Sequence, residues 1–273
     1  LMSFKLVALI PAGGVGERAQ HTVQGQAVPK QYRQINQASM LMHSVRALLA
    51  DPRVEHVYIG VAATDDWIER EDFSVLAGRV TILSCGGETR ALTVLNTLRA
   101  AELGDEAWVL VHDAARPGLP REALSELITV CLQQQQGGLL ALPVGDTVKR
   151  AQVRVASSEP MAEATSAQMA AEPGASENAV VSVHNQDEII NKAIVSVQET
   201  VSREGLWLAQ TPQFFKAHEL CDALAQALAQ GAEITDEASA MEFIGQHPLL
   251  ITGHWRNLKV TWLSDFDLVE QFL

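Results

Sequence analysis

The sequence predicts an α/β fold, a Rossmann-like, mostly parallel sheet covered by helices. The first observation is that short apolar runs rich in β-branched residues take turns with helix-patterned segments from residue 6 to residue 136. The second is that these runs are apolar throughout and do not alternate with polar residues, as in strands buried on both faces of a parallel sheet. In such a sheet ligands sit beyond the carboxyl ends of the strands, so loops following strands are the places to look for chemistry.

In order, "LVALI" (6–10) reads as the first strand, "MLMHSVRALLA" (40–50) as a helix, "VEHVYIGVA" (54–62) as a strand and "DDWIEREDFSVLA" (65–77) as a helix. Then come the strand "VTIL" (80–83), the helix "ETRALTVLNTLRAAEL" (88–103), the strand "AWVLV" (107–111) and the helix "REALSELITVCLQQQQ" (121–136). Beyond residue 150 the texture changes. Residues 156–180 hold eight alanines and four glutamates, with no Lys, Arg or aromatic residue, too little to bury a core, and read as a mobile or weakly helical insertion. The flanking "LLALPVGDTVKRAQVRV" and "AIVSVQETVS" read as two arms of one hairpin. Exposed strand edges seek partners, so the expectation is a single domain over 1–273 with a protruding β-arm at 144–202 that dimerises the chain. The remainder reads as the helix "AHELCDALAQALAQG", the helix "TDEASAMEFIG" with Thr235 as N-cap, the strand "PLLITG", a short strand "NLKVT" and a final helix.

A net charge of −13 argues against a broad nucleic-acid surface or an anionic membrane face. An anionic ligand must therefore meet cations gathered locally. Cys85, Cys131 and Cys221 are far apart and odd in number, which suits reduced thiols and a cytoplasmic setting. No apolar stretch approaches a membrane span, and Leu6–Ile10 is too short for the core of a signal peptide.

The first strand runs into "PAGGVGERA", which spells the dinucleotide pattern G-x-G-x-x-A. That reading needs a regular helix next and an acid about 20 residues on to hold a ribose. Between Arg18 and Ala50 there is no Asp or Glu, and Gly25 and Pro29 interrupt any helix. The P-loop pattern is absent as well. What remains is a glycine loop whose N–H groups can cradle phosphates, followed by an extended segment with Arg18 and Lys30. A tight turn with two solvated cations fits either cation singly, but fits the whole set poorly.

"PAGGVGERA", "PKQY", "GGETR", "VLVHDAARP", "DTVKR", "REGLWLAQTPQFF", "TDEASA" and "NLKVT" occur in that order. Together they resemble the 2-C-methyl-D-erythritol 4-phosphate cytidylyltransferase family, from about residue 4 to the C-terminus and excluding the insertion. The resemblance implies a CTP-dependent transfer of a cytidylyl group to an alcohol phosphate, releasing pyrophosphate, with Mg²⁺ held mainly by the CTP phosphates and no protein metal cage. It implies Arg18 and Lys30 as catalytic stabilisers of the transition state, and Arg203 and Lys259 as catalytic groups that position the alcohol phosphate. The nucleotide would meet Ala12, Gly13, Gly14, Gly16, Gly87, Glu88, Thr93 and Asp113, and the second substrate Arg116, Thr147 and Thr211. Thr147 and Arg203 fall on the arm, where a homodimer would let them complete the neighbouring subunit's site.

Glu88 and Thr93 depart from the Asp and Ser usual in the family, and the spacer between Arg18 and Lys30 is longer, so that "HTVQGQAV" reads as a larger lid. Glu88 and Thr89 also fit the first turn of a helix, and Asp236 with Glu237 fits a helix-dipole arrangement. His112, adjacent to Asp113 on a strand, faces the other way and reads as a core residue. The rival readings are a ribitol-5-phosphate cytidylyltransferase, a catalytically silent nucleotide-binding relative and, third, an NAD-dependent enzyme.

Overall fold

The computed structural model describes residues 5–14, 21–23, 26–155 and 193–273. Residues 156–180, read as the insertion, lie outside them, as do Gly16 and Arg18. The chain divides into a unit of residues 1–143 and 207–273 and a second of residues 144–206.

The strands of the first unit are β1 (Leu6–Pro11), β2 (His21–Val23), β3 (Gln26–Val28), β4 (Gln34–Ile35), β5 (Ala38–Ser39), β6 (His56–Gly60), β7 (Val80–Leu83), β8 (Trp108–Val111) and β9 (Gly138–Pro143). Strands β10 (Val148–Val155) and β11 (Ala193–Val201) form the second unit, and β12 (Trp207–Lys216) and β13 (Leu249–Thr252) return to the first. The helices are α1 (Met40–Leu49), α2 (Arg90–Ala100), α3 (Arg121–Gln134), α4 (Ala217–Ala229), α5 (Glu237–Phe243) and α6 (Leu263–Glu270).

Seven strands make the main sheet in the order β13-β9-β12-β8-β1-β6-β7. β1 pairs in parallel with both β6 and β8, while β12 runs antiparallel between β8 and β9. Side chains alternate across the pleat. Ala8, Ile10, Val57, Ile59 and Leu110 pack with Leu41, Val45, Leu124 and Leu127 of α1 and α3, and Val7, Leu9, Val109 and Val111 with Val94, Leu98, Leu220 and Leu224 of α2 and α4. Both faces of the central strands are thus buried, which is why their sequences are continuously apolar.

From β1 the chain moves outward to β6 and β7, then crosses back to β8 on the other side of β1. That reversal opens a crevice at the carboxyl ends of β1 and β8, where the connecting loops diverge. A smaller apolar cluster of Ile35, Met40, Ala115, Val260, Phe266 and Val269 seats the 258–261 segment beside the end of β8.

Three local readings need correction. Residues 65–77 form two single 3₁₀ turns, Ile68–Arg70 and Ser74–Leu76, instead of a helix. The Asp65 carboxylate accepts from the Trp67 N–H at 3.0 Å and Asp72 accepts from the Ser74 N–H at 3.0 Å, so each acid captures backbone donors that a continuous helix would use. "NLKVT" is not a strand. Its ladder is one bond, from the Val260 N–H to the Ala115 carbonyl at 2.8 Å, after which Asp265 takes the N–H groups of Thr261 and Trp262. The N-cap of α5 is Asp236, not Thr235, and it forms a capping box with Ser239. Within the long spacer, β2 and β3 pair as a small antiparallel hairpin.

In the second unit, β10 and β11 pair antiparallel with a register shift between Arg150 and Ala151. Arg150 and Glu199 form a cross-strand ion pair, and the Arg203 guanidinium donates to the Gly145 carbonyl. Val195 and Val197 are exposed on β11.

Candidate functional site

The loop after β1 continues the sheet for one more bond, from the Ala12 N–H to the Gly60 carbonyl at 2.7 Å, and then turns away through Gly13 and Gly14. A Cβ at Gly13 would stand 3.0 Å from Thr93 Oγ1, so glycine lets this loop lie close against α2. Across from it, the Thr93 hydroxyl accepts from the Gly87 N–H at 3.0 Å and donates to the Thr89 carbonyl at 3.0 Å, fixing the 87–89 loop over its own helix. Thr89 caps α2 through the Leu92 N–H, and Glu88 projects exposed beside it. Of the two readings of these residues, Thr89 is the helix cap, and Glu88 lies just outside the helix.

Lys30 opens a 3₁₀ turn and donates from Nζ to the Val260 carbonyl at 2.7 Å. The next residue, Gln31, donates to the carbonyls of Gly14 and Ala12, tying the lysine's turn to the glycine loop. Lys259 enters from the segment that Val260 anchors and meets Asp113 Oδ2 at 3.0 Å.

Asp113 is the charge centre. Arg90 Nε contacts its Oδ1 at 3.0 Å, and Arg116 Nε lies 3.6 Å from Oδ2. Burial alone would raise this carboxyl, but the charges of Arg90, Lys259 and Arg116 outweigh it and hold the group well below the usual carboxylate range. Behind it, the Asp113 N–H donates to Thr211 Oγ1 at 3.0 Å, and that hydroxyl lies 2.9 Å from His112 Nδ1. His112 Nε2 meets the Arg116 carbonyl at 3.0 Å. A carbonyl can only accept, so Nε2 carries the proton and Nδ1 accepts from Thr211. Burial pushes the His112 imidazole down to about 4, which keeps it neutral near pH 7.

Ala12, Gly13, Gly14, Lys30, Gly87, Glu88, Thr93, Asp113 and Lys259 all line one cleft of ≈ 260 Å³. Arg116 and Thr211 do not line it. Arg116 is buried, donating to the carbonyls of Asn257 and Ala209, and Thr211 is buried behind the Asp113 backbone. Thr147 and Arg203 are exposed residues of the second unit.

Two participants were missed in the sequence. Arg90 lines the cleft and holds Glu237 with Nη1 at 2.7 Å and Nη2 at 3.1 Å. Glu237 is 1% exposed, so the helix-dipole reading of this acid was incomplete. The available signal was Arg90 itself: a cation in the first turn of a helix is opposed by the dipole and needs acidic partners to stay there.

Among the described residues, no group of three or more His, Cys, Asp or Glu side chains could hold a metal ion, and no helix is long and apolar enough to cross a membrane. The arrangement is a small concave site lined by two ammonium groups, the glycines of the loop after β1 and the Asp113 carboxylate that three cations engage. Its chemistry suits binding a polyanion and compensating charge that develops on it.

The family model for 2-C-methyl-D-erythritol 4-phosphate cytidylyltransferase (IspD) matches residues 6–168 and 158–273. The protein of that name from Bordetella pertussis (strain Tohama I) is 45% identical over 275 residues, covering 100% of both chains. Its counterpart from Escherichia coli O7:K1 is 41% identical over 266 residues, covering 97% of this chain and 92% of the relative. A crystal structure of 4-diphosphocytidyl-2C-methyl-D-erythritol synthase superposes with a TM-score of 0.71 at 33% identity, covering 100% of this chain and 99% of that one. The Francisella tularensis enzyme, with a TM-score of 0.69 at 24% identity, shares the fold.

Proposed function

The chain belongs to the 2-C-methyl-D-erythritol 4-phosphate cytidylyltransferase family, and from that premise we propose how its cleft works. The enzyme is a nucleotidyltransferase that moves a cytidylyl group from CTP to 2-C-methyl-D-erythritol 4-phosphate, giving CDP-methylerythritol and pyrophosphate in isoprenoid precursor synthesis. The observation that carries the site assignment is the gathering of the glycine loop, Lys30, Asp113 and Lys259 on one cleft at the switch point of the sheet.

In this reading, CTP lies along Ala12, Gly13, Gly14 and Gly16, with its base and ribose against Gly87, Glu88 and Thr93. A phosphate oxygen of the alcohol attacks the α-phosphorus of CTP. A new P–O bond forms, the bond to the β-phosphate bridging oxygen breaks, and pyrophosphate leaves with that electron pair. Negative charge builds on the α-phosphoryl oxygens, and Lys30 with Arg18 compensates it as a point charge and a planar fork respectively. Lys259 holds the incoming phosphate near Asp113, which lies between the two substrates. Arg116 and Thr211, read from the resemblance as substrate contacts, fit better as supports that fix Asp113 from behind, because Arg116 donates to the Asn257 carbonyl and the Thr211 hydroxyl accepts from the Asp113 N–H.

Mg²⁺ suits this donor set as an ion carried by the triphosphate. Asp113 is engaged by three cations, so the phosphates and water supply the ligands. Bound there, the ion would neutralise phosphate charge and orient the leaving pyrophosphate.

We further infer a homodimer through the β10–β11 arm, supported by the exposed Val195 and Val197, in which Thr147 and Arg203 meet the partner's alcohol phosphate. The three unpaired cysteines favour the reducing cytoplasm. The test is pyrophosphate release from CTP and Mg²⁺. Release that depends on methylerythritol phosphate supports the reading, and silence with every alcohol phosphate overturns it in favour of a nucleotide-binding relative.

A further inference from the structure

We propose that Glu237 is a positioning residue that keeps the fork of Arg90 off Asp113 and so leaves Asp113 Oδ2 to hold Lys259 at the cleft. The division of contacts carries the inference. Both terminal nitrogens of Arg90 are spent on Glu237, at 2.7 and 3.1 Å, and only Nε reaches Asp113, on Oδ1. Oδ2 is thereby left for Lys259 at 3.0 Å, with Arg116 farther away at 3.6 Å.

An arginine and a carboxylate prefer two parallel N–H···O bonds. Without Glu237, the nearest acid able to take that geometry from Arg90 is Asp113 itself. Arg116 is anchored by the Asn257 carbonyl at 2.7 Å and cannot readily give way. Lys259, with a side chain 49% exposed against 28% for Arg90 and 11% for Arg116, is the most exposed of the three cations and would be the one displaced. Glu237 is absent from the cleft lining and is 1% exposed, so it acts only through Arg90. Its reach to the substrate rests on the reading that Lys259 positions the alcohol phosphate.

The experiment uses the full-length enzyme with Glu237→Gln and Glu237→Asp, and with Arg90→Lys as the control that has no fork to turn onto Asp113. For Glu237→Gln the expected result is a loss of about tenfold or more in kcat/KM for the alcohol phosphate, with KM for CTP within about twofold of wild type. Glu237→Asp should recover part of the loss. In the Lys259→Ala background, Glu237→Gln should cost nothing further, because the route it serves is gone. A fall shared equally by both substrates, or additive losses in the double variant, would show a purely structural acid and overturn the proposal.

A readout independent of turnover separates this from the functional reading. In the ligand-free protein, acylation of Lys259 followed by mass spectrometry should run about threefold or more faster in Glu237→Gln than in wild type. If Glu237→Gln does not fold, Glu237→Asp should give a smaller rise, and Arg90→Lys should hold labelling at the wild-type rate, since a lysine has no fork to turn onto Asp113. Unchanged labelling in the folded Glu237 variants, or a rise in Arg90→Lys, overturns the proposal whatever the turnover assay shows.

Discussion

Replacing Lys30 by alanine should separate folding from chemistry cleanly. In the resting enzyme the lysine makes a charge-assisted bond to the Val260 carbonyl at 2.7 Å from a half-buried position on the cleft. Losing it removes about 2 kcal/mol, because Val260 is buried and its carbonyl loses a charged donor. For a chain of this size that lowers Tm by about 4–8 °C. In the transition state the same ammonium faces charge building on the α-phosphoryl oxygens, and removal of one fixed donor there costs about 3 kcal/mol, or about 100-fold in kcat. KM for CTP should shift only about threefold, since the interaction strengthens mainly in the transition state. Steady-state pyrophosphate release, read beside a thermal melt, measures both quantities on one preparation. Lys30→Arg should restore only part of the rate, as a broad planar fork replaces a point charge. A kcat within about threefold of wild type, in a folded protein, would refute the reasoning.

Asp113→Asn should destabilise the fold by about 3 kcal/mol or more, because Arg90, Arg116 and Lys259 then crowd a neutral group. Because the carboxyl is depressed in the folded state, its contribution is complete above about pH 4 and fades as pH falls below it, so chemical denaturation should show the gap to wild type narrowing only in acid. His112 has the opposite charge type with the same sign of pH dependence: its folded value of about 4 lies below the unfolded 6.5, so its contribution is full above pH 6.5 and is lost as pH falls toward 4. Wild type should lose about 2 kcal/mol from this group between pH 7 and pH 5, and a folded His112→Gln variant should not; equal slopes would count against a neutral buried imidazole. Deleting residues 156–180 should leave kcat within about twofold, since no proposed contact falls there, and abolished turnover in a folded dimer would contradict the reading.

Much of the fold was legible because its central strands are buried on both faces. That requirement writes itself into unbroken runs such as "LVALI" and "AWVLV". The 65–77 segment has helix-compatible apolar spacing, yet Asp65 and Asp72 capture backbone N–H groups, a competition that periodicity does not register. "NLKVT" has strand composition, but Asp265 takes the donors that a ladder would need.

At the cleft, the glycine loop and Lys30 could be picked out from the residues themselves, whereas Asp113 and Lys259 were legible only through the family resemblance that their motifs carry. Arg90 signals that it needs an acid, being a cation in a helix's first turn, but which acid could not be read, since Glu237 lies 147 residues away and looks like an ordinary first-turn acid. Arg116 and Thr211 were visible as motif residues, but their direction is set by Asn257 and His112, which only the folded chain brings to them.

The most direct test of the account is a side-by-side comparison of 2-C-methyl-D-erythritol 4-phosphate and ribitol 5-phosphate with CTP and Mg²⁺, following the diphosphate product by phosphorus NMR. The account predicts a CDP-alcohol and stoichiometric pyrophosphate with the methylerythritol substrate, at a kcat/KM well above that for ribitol phosphate. Equal or greater turnover of ribitol phosphate, or pyrophosphate release with no CDP-alcohol formed, would contradict it.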